Sequence, residues 1–235
     1  MYTERLLGKR LLVTGGSSGI GRAVVDEALR CGALVGVLGN KPAEFAALPA
    51  GVRAFACDVR SAAETAQAVD AFAAQAGGLD AVVNAAGVSL WKPFLEMDDA
   101  FWDLIHDVNV KGTFHVCQAA ARHLIRQHSG IILNIASMSA VKSGMLNASA
   151  YAASKWAVLG FSRNLHLELK PHGVRVSCYC PGSTLTPLHA SAGTTDQDAM
   201  LTAVEVAETI CFMLSASERG HIQLCCQPAM FEDWR

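Results

Sequence analysis

The sequence predicts an α/β fold, a doubly wound sheet of about seven parallel strands with helices on both faces. Two observations point there. Short apolar runs alternate along the chain with helix-like stretches, and that rhythm builds a parallel sheet with right-handed crossovers. Hydrophobic residues make up 51% of the chain and charged residues only 17%, as expected when strands are covered on both sides. A third feature, a glycine-rich loop between the first strand and the first helix, marks the edge where a phosphate would sit. At 235 residues the chain is expected to form one domain spanning 1–235.

The elements follow in order. Residues 10–14 read as the first strand and 20–31 as an Ala/Val/Leu helix that Gly32 ends. Residues 33–38 and 53–57 are the second and third strands, and an Ala-rich helix over 61–75 stops at Gly77-Gly78. The fourth strand covers 79–83. A long helix follows over 98–126, bent near Gly112, then a fifth strand over 131–135 and a second long helix over 150–170. A Pro171-His-Gly173 turn leads to the sixth strand, 174–180, a helix over 204–215 and a seventh strand over 222–226. The one long irregular stretch, 181–200, is rich in Ser, Thr, Gly and Asp, the composition of a lid or binding loop.

Composition narrows the function classes. The formal net charge is −2 with no basic cluster, which argues against nucleic acid or an anionic membrane as partner. No apolar run reaches transmembrane length and the N-terminus has no signal-peptide core, so a cytoplasmic location is expected. The eight cysteines and eight histidines show no metal-ligand spacing, and no metal is expected; the thiols read as small core residues, with Cys178 and Cys180 on one strand face.

Three loops at strand ends carry the chemistry. In Thr14-Gly-Gly-Ser-Ser-Gly-Ile-Gly21, Gly15 suits a tight turn, Gly19 a close backbone approach to a pyrophosphate, and Gly21 close helix–strand packing. Ser17, Ser18 and Ile20 complete a cradle that ends on a helix N-terminus. Asp58-Val59 follows the third strand, where a carboxylate can accept from an adenine amino group or cap a helix. Asn84-Ala85-Ala86-Gly87 follows the fourth; its small residues let a nucleotide lie against the sheet edge, or form a tight turn. Further on, Tyr151 and Lys155 stand four residues apart, on one helix face. An ammonium beside a phenol lowers its pKa, so the pair suits acid/base work; otherwise it is a surface pair.

With these motifs in order the chain resembles the short-chain dehydrogenase/reductase family, in its short single-domain, Rossmann-type branch, over about residues 7–231. The matching stretches are TGGSSGIG at Thr14, DV at Asp58, NAAG at Asn84, NVKG at Asn109, IAS ending at Ser137, YAASK at Tyr151 and PGSTLT from Pro181. The resemblance implies an oxidoreductase that moves a hydride between a nicotinamide cofactor and a carbonyl/secondary alcohol pair. Tyr151 is then the general acid/base. Lys155 lowers its pKa and holds the nicotinamide ribose, Ser137 polarises the substrate oxygen, and Asn109 anchors a water in a proton relay. Pro181, Gly182, Thr184 and Thr186 would lie beside the nicotinamide carboxamide. Two departures stand out: Ala85 replaces an expected Asn, and the stretch from Ser137 to Tyr151 is one residue longer than usual, which keeps Ser139 as the alternative polarising serine.

Cofactor choice in this fold turns on the end of the second strand. The acidic position reads Gly39, followed by Asn40 and Lys41. Without the carboxylate, NADP(H) is favoured over NAD(H), with Lys41 toward a 2′-phosphate and Ser17 or Arg22 assisting. Ser89, Trp91, Ser143, Met145, Leu146 and His189 are the candidate substrate-lining residues, and their largely apolar character suggests a small neutral carbonyl or alcohol. The family resemblance further implies a homodimer or homotetramer paired through the helices at 98–126 and 150–170. The alternatives are a non-catalytic nucleotide sensor on the same fold and an epimerase or dehydratase.

Overall fold

The computed structural model describes residues 2–142, 145–187, 199–217 and 219–230. Seven strands form one sheet: β1 (Arg10–Thr14), β2 (Leu34–Gly39), β3 (Arg53–Ala56), β4 (Ala81–Asn84), β5 (Gly130–Ile135), β6 (Val174–Pro181) and β9 (Leu224–Gln227). All neighbours run parallel, in the order β3-β2-β1-β4-β5-β6-β9. The order reverses between β1 and β4, and the carboxyl ends of those strands open the crevice where such sheets bind ligands.

Successive strand residues enter opposite cores. Val13, Val37, Val83 and Leu133 pack with α2 (Gly19–Arg30) and the helix Ala203–Leu214, here α7, through Val24, Val25, Ile210 and Met213. Leu12, Leu38, Val82 and Ile132 pack on the other face with α3 (Ala62–Ala76), α5 (Thr113–Gln127) and α6 (Ser149–Leu169), through Phe72, Val69, Leu124 and Leu169. Each such side chain contributes about 1.5–3 kcal/mol on burial. Cys178 and Cys180 share a face as expected, in a third cluster with Val158 and Leu159, and all eight thiols are free.

The expected elements are all present, displaced by a residue or two at their ends. Three details differ. The helix expected over 98–126 divides into α4 (Asp99–His106), a π-helical segment (Asp107–Gly112) and α5. A short helix α1 (Tyr2–Leu6) precedes β1, and a 3-10 segment (Pro42–Ala47) follows β2, in stretches too short for a periodic signal. Within the stretch read as irregular, Thr184–Leu185 (β7) pairs in parallel with Leu201–Thr202 (β8), whose Thr202 then caps α7 in a capping box with Glu205. No described helix is long and apolar enough to cross a membrane. Among the described residues no group of three or more His, Cys, Asp or Glu is placed to hold a metal ion.

Candidate active site

A groove runs across the carboxyl ends of β1, β4 and β5. It is lined by the glycine loop (Gly15, Ser18, Gly19, Ile20, Gly21), by Ala85, Ala86, Gly87, Val88 and Ser89 after β4, by Ser137 after β5, by Tyr151 and Lys155 of α6, and by Pro181, Gly182, Thr184 and Thr186 after β6. Apart from Val88 these are expected residues, and, distant in sequence, they share one surface.

The glycine loop is shaped by contact. Gly15 has φ +65°, and a Cβ there would come within 2.9 Å of the Ala86 Cα. At Gly21 a Cβ would stand 2.4 Å from the Gly15 carbonyl oxygen, so only glycine lets α2 begin this close to its loop. Thr14 secures the opposite wall: its Oγ1 accepts from the Ala85 and Ala86 amides at 3.1 and 3.0 Å. Both donors are backbone amides, so the Ala at position 85 leaves the wall intact. Ser61, Asp98 and Thr202 cap α3, α4 and α7 with their side chains, whereas Ser18 makes no such bond at the start of α2. The first amides of α2 therefore face the groove without a side-chain acceptor, the condition for holding a phosphate.

Beyond the loop, four polar side chains meet. Lys155 lies one turn after Tyr151 on α6, its Nζ over the Tyr151 ring, 5.7 Å from the centroid, and donates to the Ile135 carbonyl at 3.0 Å. It is 8% exposed, and burial pushes its ammonium down to about 8. Burial likewise holds the Tyr151 phenol above its ordinary value, while the hydroxyls of Ser137 and Ser89, which hydrogen-bond it, pull it back. Desolvation is the largest influence on both groups. Ser137 lines the groove and accepts from the Ser139 amide at 3.1 Å, whereas Ser139 is buried with its Oγ on the Met145 sulfur at 3.0 Å. Of the two candidate serines, Ser137 therefore lines the groove and Ser139 does not.

Asn109 sits on the π-helical segment, 1% exposed. Its amide donates to the Val88 carbonyl and the Ser154 hydroxyl, both at 3.0 Å, and its Oδ1 accepts from the Val88 amide at 2.8 Å. It therefore pins the loop after β4 to α6, and Gly87 lies between it and Lys155. Trp91 donates to Ser89 at 3.1 Å and so sets a residue that faces the phenol.

Other expected residues lie elsewhere. Asn84 is buried below the groove, donating to Asn134 at 2.7 Å across β4 and β5. Asp58 makes a two-toothed ion pair with Arg60, its amide donates to Glu64, and the helix cap is Ser61. Val59 packs in the core beneath Gly112. Gly39 ends β2 against the Phe45 ring, with Asn40 exposed beyond it. Arg22 pairs with Asp26 and the Ala47 carbonyl. Lys41 and Ser17 both contact Glu44, a residue that sequence reasoning passed over because a lone acid in a short irregular stretch gives no signal. Met145 and Leu146 are exposed, while Ser143 and His189 lie outside the described residues.

A family model described as short chain dehydrogenase matches residues 9–197. A D-threitol dehydrogenase from Mycolicibacterium smegmatis is 39% identical over 194 residues, 80% of this chain and 74% of the relative. An L-xylulose reductase from Bos taurus is 33% identical, covering 90% of this chain and 91% of the relative. Among solved structures, a short chain dehydrogenase from Burkholderia cenocepacia in complex with NADP superposes with a TM-score of 0.87 at 31% identity, covering 96% of this chain and 98% of the other.

Proposed function

The chain belongs to the short-chain dehydrogenase family, and from that premise we propose that it interconverts a carbonyl and a secondary alcohol on a small neutral substrate, with Tyr151 as general acid/base and a nicotinamide cofactor. One observation carries the reading: Tyr151, Ser137, Ser89 and Lys155 meet in the groove that begins at the open N-terminus of α2. The relatives named for threitol and xylulose are consistent with a polyol or its ketose, a small neutral substrate.

The groove fits a dinucleotide in its chemistry. The α2 amides and the glycine loop would hold the pyrophosphate, Lys155 the nicotinamide ribose, and the Pro181–Thr186 stretch the carboxamide. Bound there, nicotinamide supplies or accepts the hydride. The protein's part is proton transfer and orientation. With its pKa raised by burial, the Tyr151 phenol keeps its proton and acts as the acid in reduction, donating to the oxygen as that oxygen gains charge. The Ser137 hydroxyl stabilises the same oxygen from beside it. Lys155, held by Ile135, keeps a positive charge below about pH 8 and steadies the phenolate left behind. Asn109 holds the loop after β4 at the distance these groups require.

Gly39 and Lys41 at the end of β2 favour NADP(H), and NAD(H) fits the same cradle. The exposed apolar side chains of Trp102, Leu104, Phe114, Trp156 and Leu167 on α4, α5 and α6 support pairing through these helices as a homodimer or homotetramer. Following nicotinamide absorbance against a panel of ketoses, polyols and simple ketones, with both cofactors, tests the reading. Net oxidation of the reduced cofactor with a carbonyl is expected. Tight cofactor binding without turnover of any panel member would instead indicate a sensor, and isomerisation without net redox change an epimerase.

A further inference from the structure

After β2 the chain passes through Asn40 and Lys41 into the 3-10 segment Pro42–Ala47, with Pro42 at its start and Glu44 in its first turn. The Glu44 carboxylate faces back toward the glycine loop. One oxygen accepts from Ser17 Oγ at 2.6 Å and the other lies 3.2 Å from Lys41 Nζ. A single carboxylate thus joins the glycine loop to the end of β2. Those are the two segments between which the adenosine ribose of a dinucleotide falls in this fold.

Ser17 and Lys41 are also two of the three donors that the sequence offers to a 2′-phosphate. The remaining cation nearby, Arg22, is engaged by Asp26 and by the Ala47 carbonyl. A carboxylate in contact with both donors leaves an incoming phosphate to meet a like charge at close range, or to displace Glu44 and break both contacts. A ribose 2′-hydroxyl makes no such demand. It brings no charge, and a carboxylate accepts its proton as a hydrogen bond.

Resting on the nicotinamide reading, we propose that Glu44 determines cofactor specificity: it competes with a 2′-phosphate for Ser17 and Lys41, so that this side chain, and not the residue at position 39 alone, sets the balance between NADP(H) and NAD(H). Glu44 is about one-third exposed and Lys41 is 70% exposed, so the contact is one that can open without disturbing the core.

Binding reads the proposal without turnover. Dissociation constants are measured by calorimetry for adenosine 2′,5′-bisphosphate and 5′-AMP, and by fluorescence for NADPH and NADH, on the full chain and on Glu44→Gln. The substitution is expected to tighten the two 2′-phosphorylated ligands about tenfold while the other two move by less than about threefold. Adding Lys41→Ala to Glu44→Gln should return the bisphosphate to weak binding. If Glu44→Gln shifts all four ligands together, or none, while NADH still binds, Glu44 has no part in selection and the nicotinamide reading stands without it. If none of the four binds either protein, the nicotinamide reading fails and this inference with it.

Discussion

The two ends of the groove are built differently. At the reacting end, Lys155 and Asn109 are buried, and each is held by backbone atoms of another segment: Lys155 by the Ile135 carbonyl, Asn109 by both polar atoms of Val88. At the other end, beside the glycine loop and outside the groove's lining, Lys41 is exposed and Glu44 partly so, and they are held chiefly by side chains, their own and that of Ser17. Buried groups tied to backbone keep their geometry and carry perturbed pKa values, which is what proton transfer requires. Exposed side-chain pairs contribute little to stability and rearrange easily, which suits a place that selects between two ligands. The proposed chemistry thus falls at one end and the proposed choice of cofactor at the other.

The largest effects should fall at the reacting end. Tyr151→Phe removes the proton while keeping the ring over which Lys155 sits, and should lower kcat by about 10³-fold, with the dissociation constant for the cofactor nearly unchanged. Steady-state rates and fluorescence titration measure the two; a variant with near-normal kcat would remove Tyr151 from the mechanism. Next comes Ser137→Ala, expected to cost about 10²-fold in kcat, against less than about threefold for Ser139→Ala, whose hydroxyl rests on a methionine sulfur away from the groove. Equal losses in the two variants would mean that the serines act as a unit through their 3.2 Å contact.

The reacting end is also the legible one. Tyr151 and Lys155 are a local pair whose spacing already fixes their shared face, Gly15 is demanded by its positive φ in the tight turn, and Gly21 by a contact within the same strand-loop-helix unit. The parallel sheet followed from the alternation of elements for the same local reason, while its strand order did not. Much of what escaped reading depends on segments far apart in the chain. Asn84 looked like a cofactor contact from its motif, yet its side chain turns to Asn134, a partner fifty residues on. Asp58 turned to Arg60, two residues away but invisible as a partner without the backbone turn between them. Glu44 acquires meaning only when the fold brings it to Ser17, and the lowered pKa of Lys155 only when α6 is packed against β5 and β6. Burial and long-range pairing have no spacing to betray them.

Asn109→Ala tests whether the reacting end is truly pinned. The change leaves the Val88 amide, the Val88 carbonyl and the Ser154 hydroxyl short of partners. Stability in urea should fall by about 2–3 kcal/mol with an unchanged m-value. A loss below about 0.5 kcal/mol would show that solvent replaces these bonds, and that this end is no more fixed than the one at Glu44.

The smallest effect is the most specific to the contrast. Lys155 has its ammonium pushed from 10.5 down to about 8 by burial, so between those values the unfolded chain holds a proton that the folded chain has released. Stability rises with pH wherever the unfolded state binds more protons. The penalty for burying the charge is therefore present in full below about pH 8 and is relieved as pH climbs toward 10.5. Lys155→Met removes this group from the balance while keeping the apolar stem. In the cofactor-free protein, the melting temperature of wild type minus that of Lys155→Met should then shift in favour of wild type between pH 7.5 and 9.5, by about 5 °C, the size expected for about 2 kcal/mol in a domain of this length. Groups common to both proteins cancel in the difference. A flat difference, or one that moves the other way, would mean that Lys155 stays charged at its ordinary pKa. The ammonium would then hold the Tyr151 phenol down, as the spacing of the two residues alone suggests, and desolvation would no longer distinguish the reacting end of the groove.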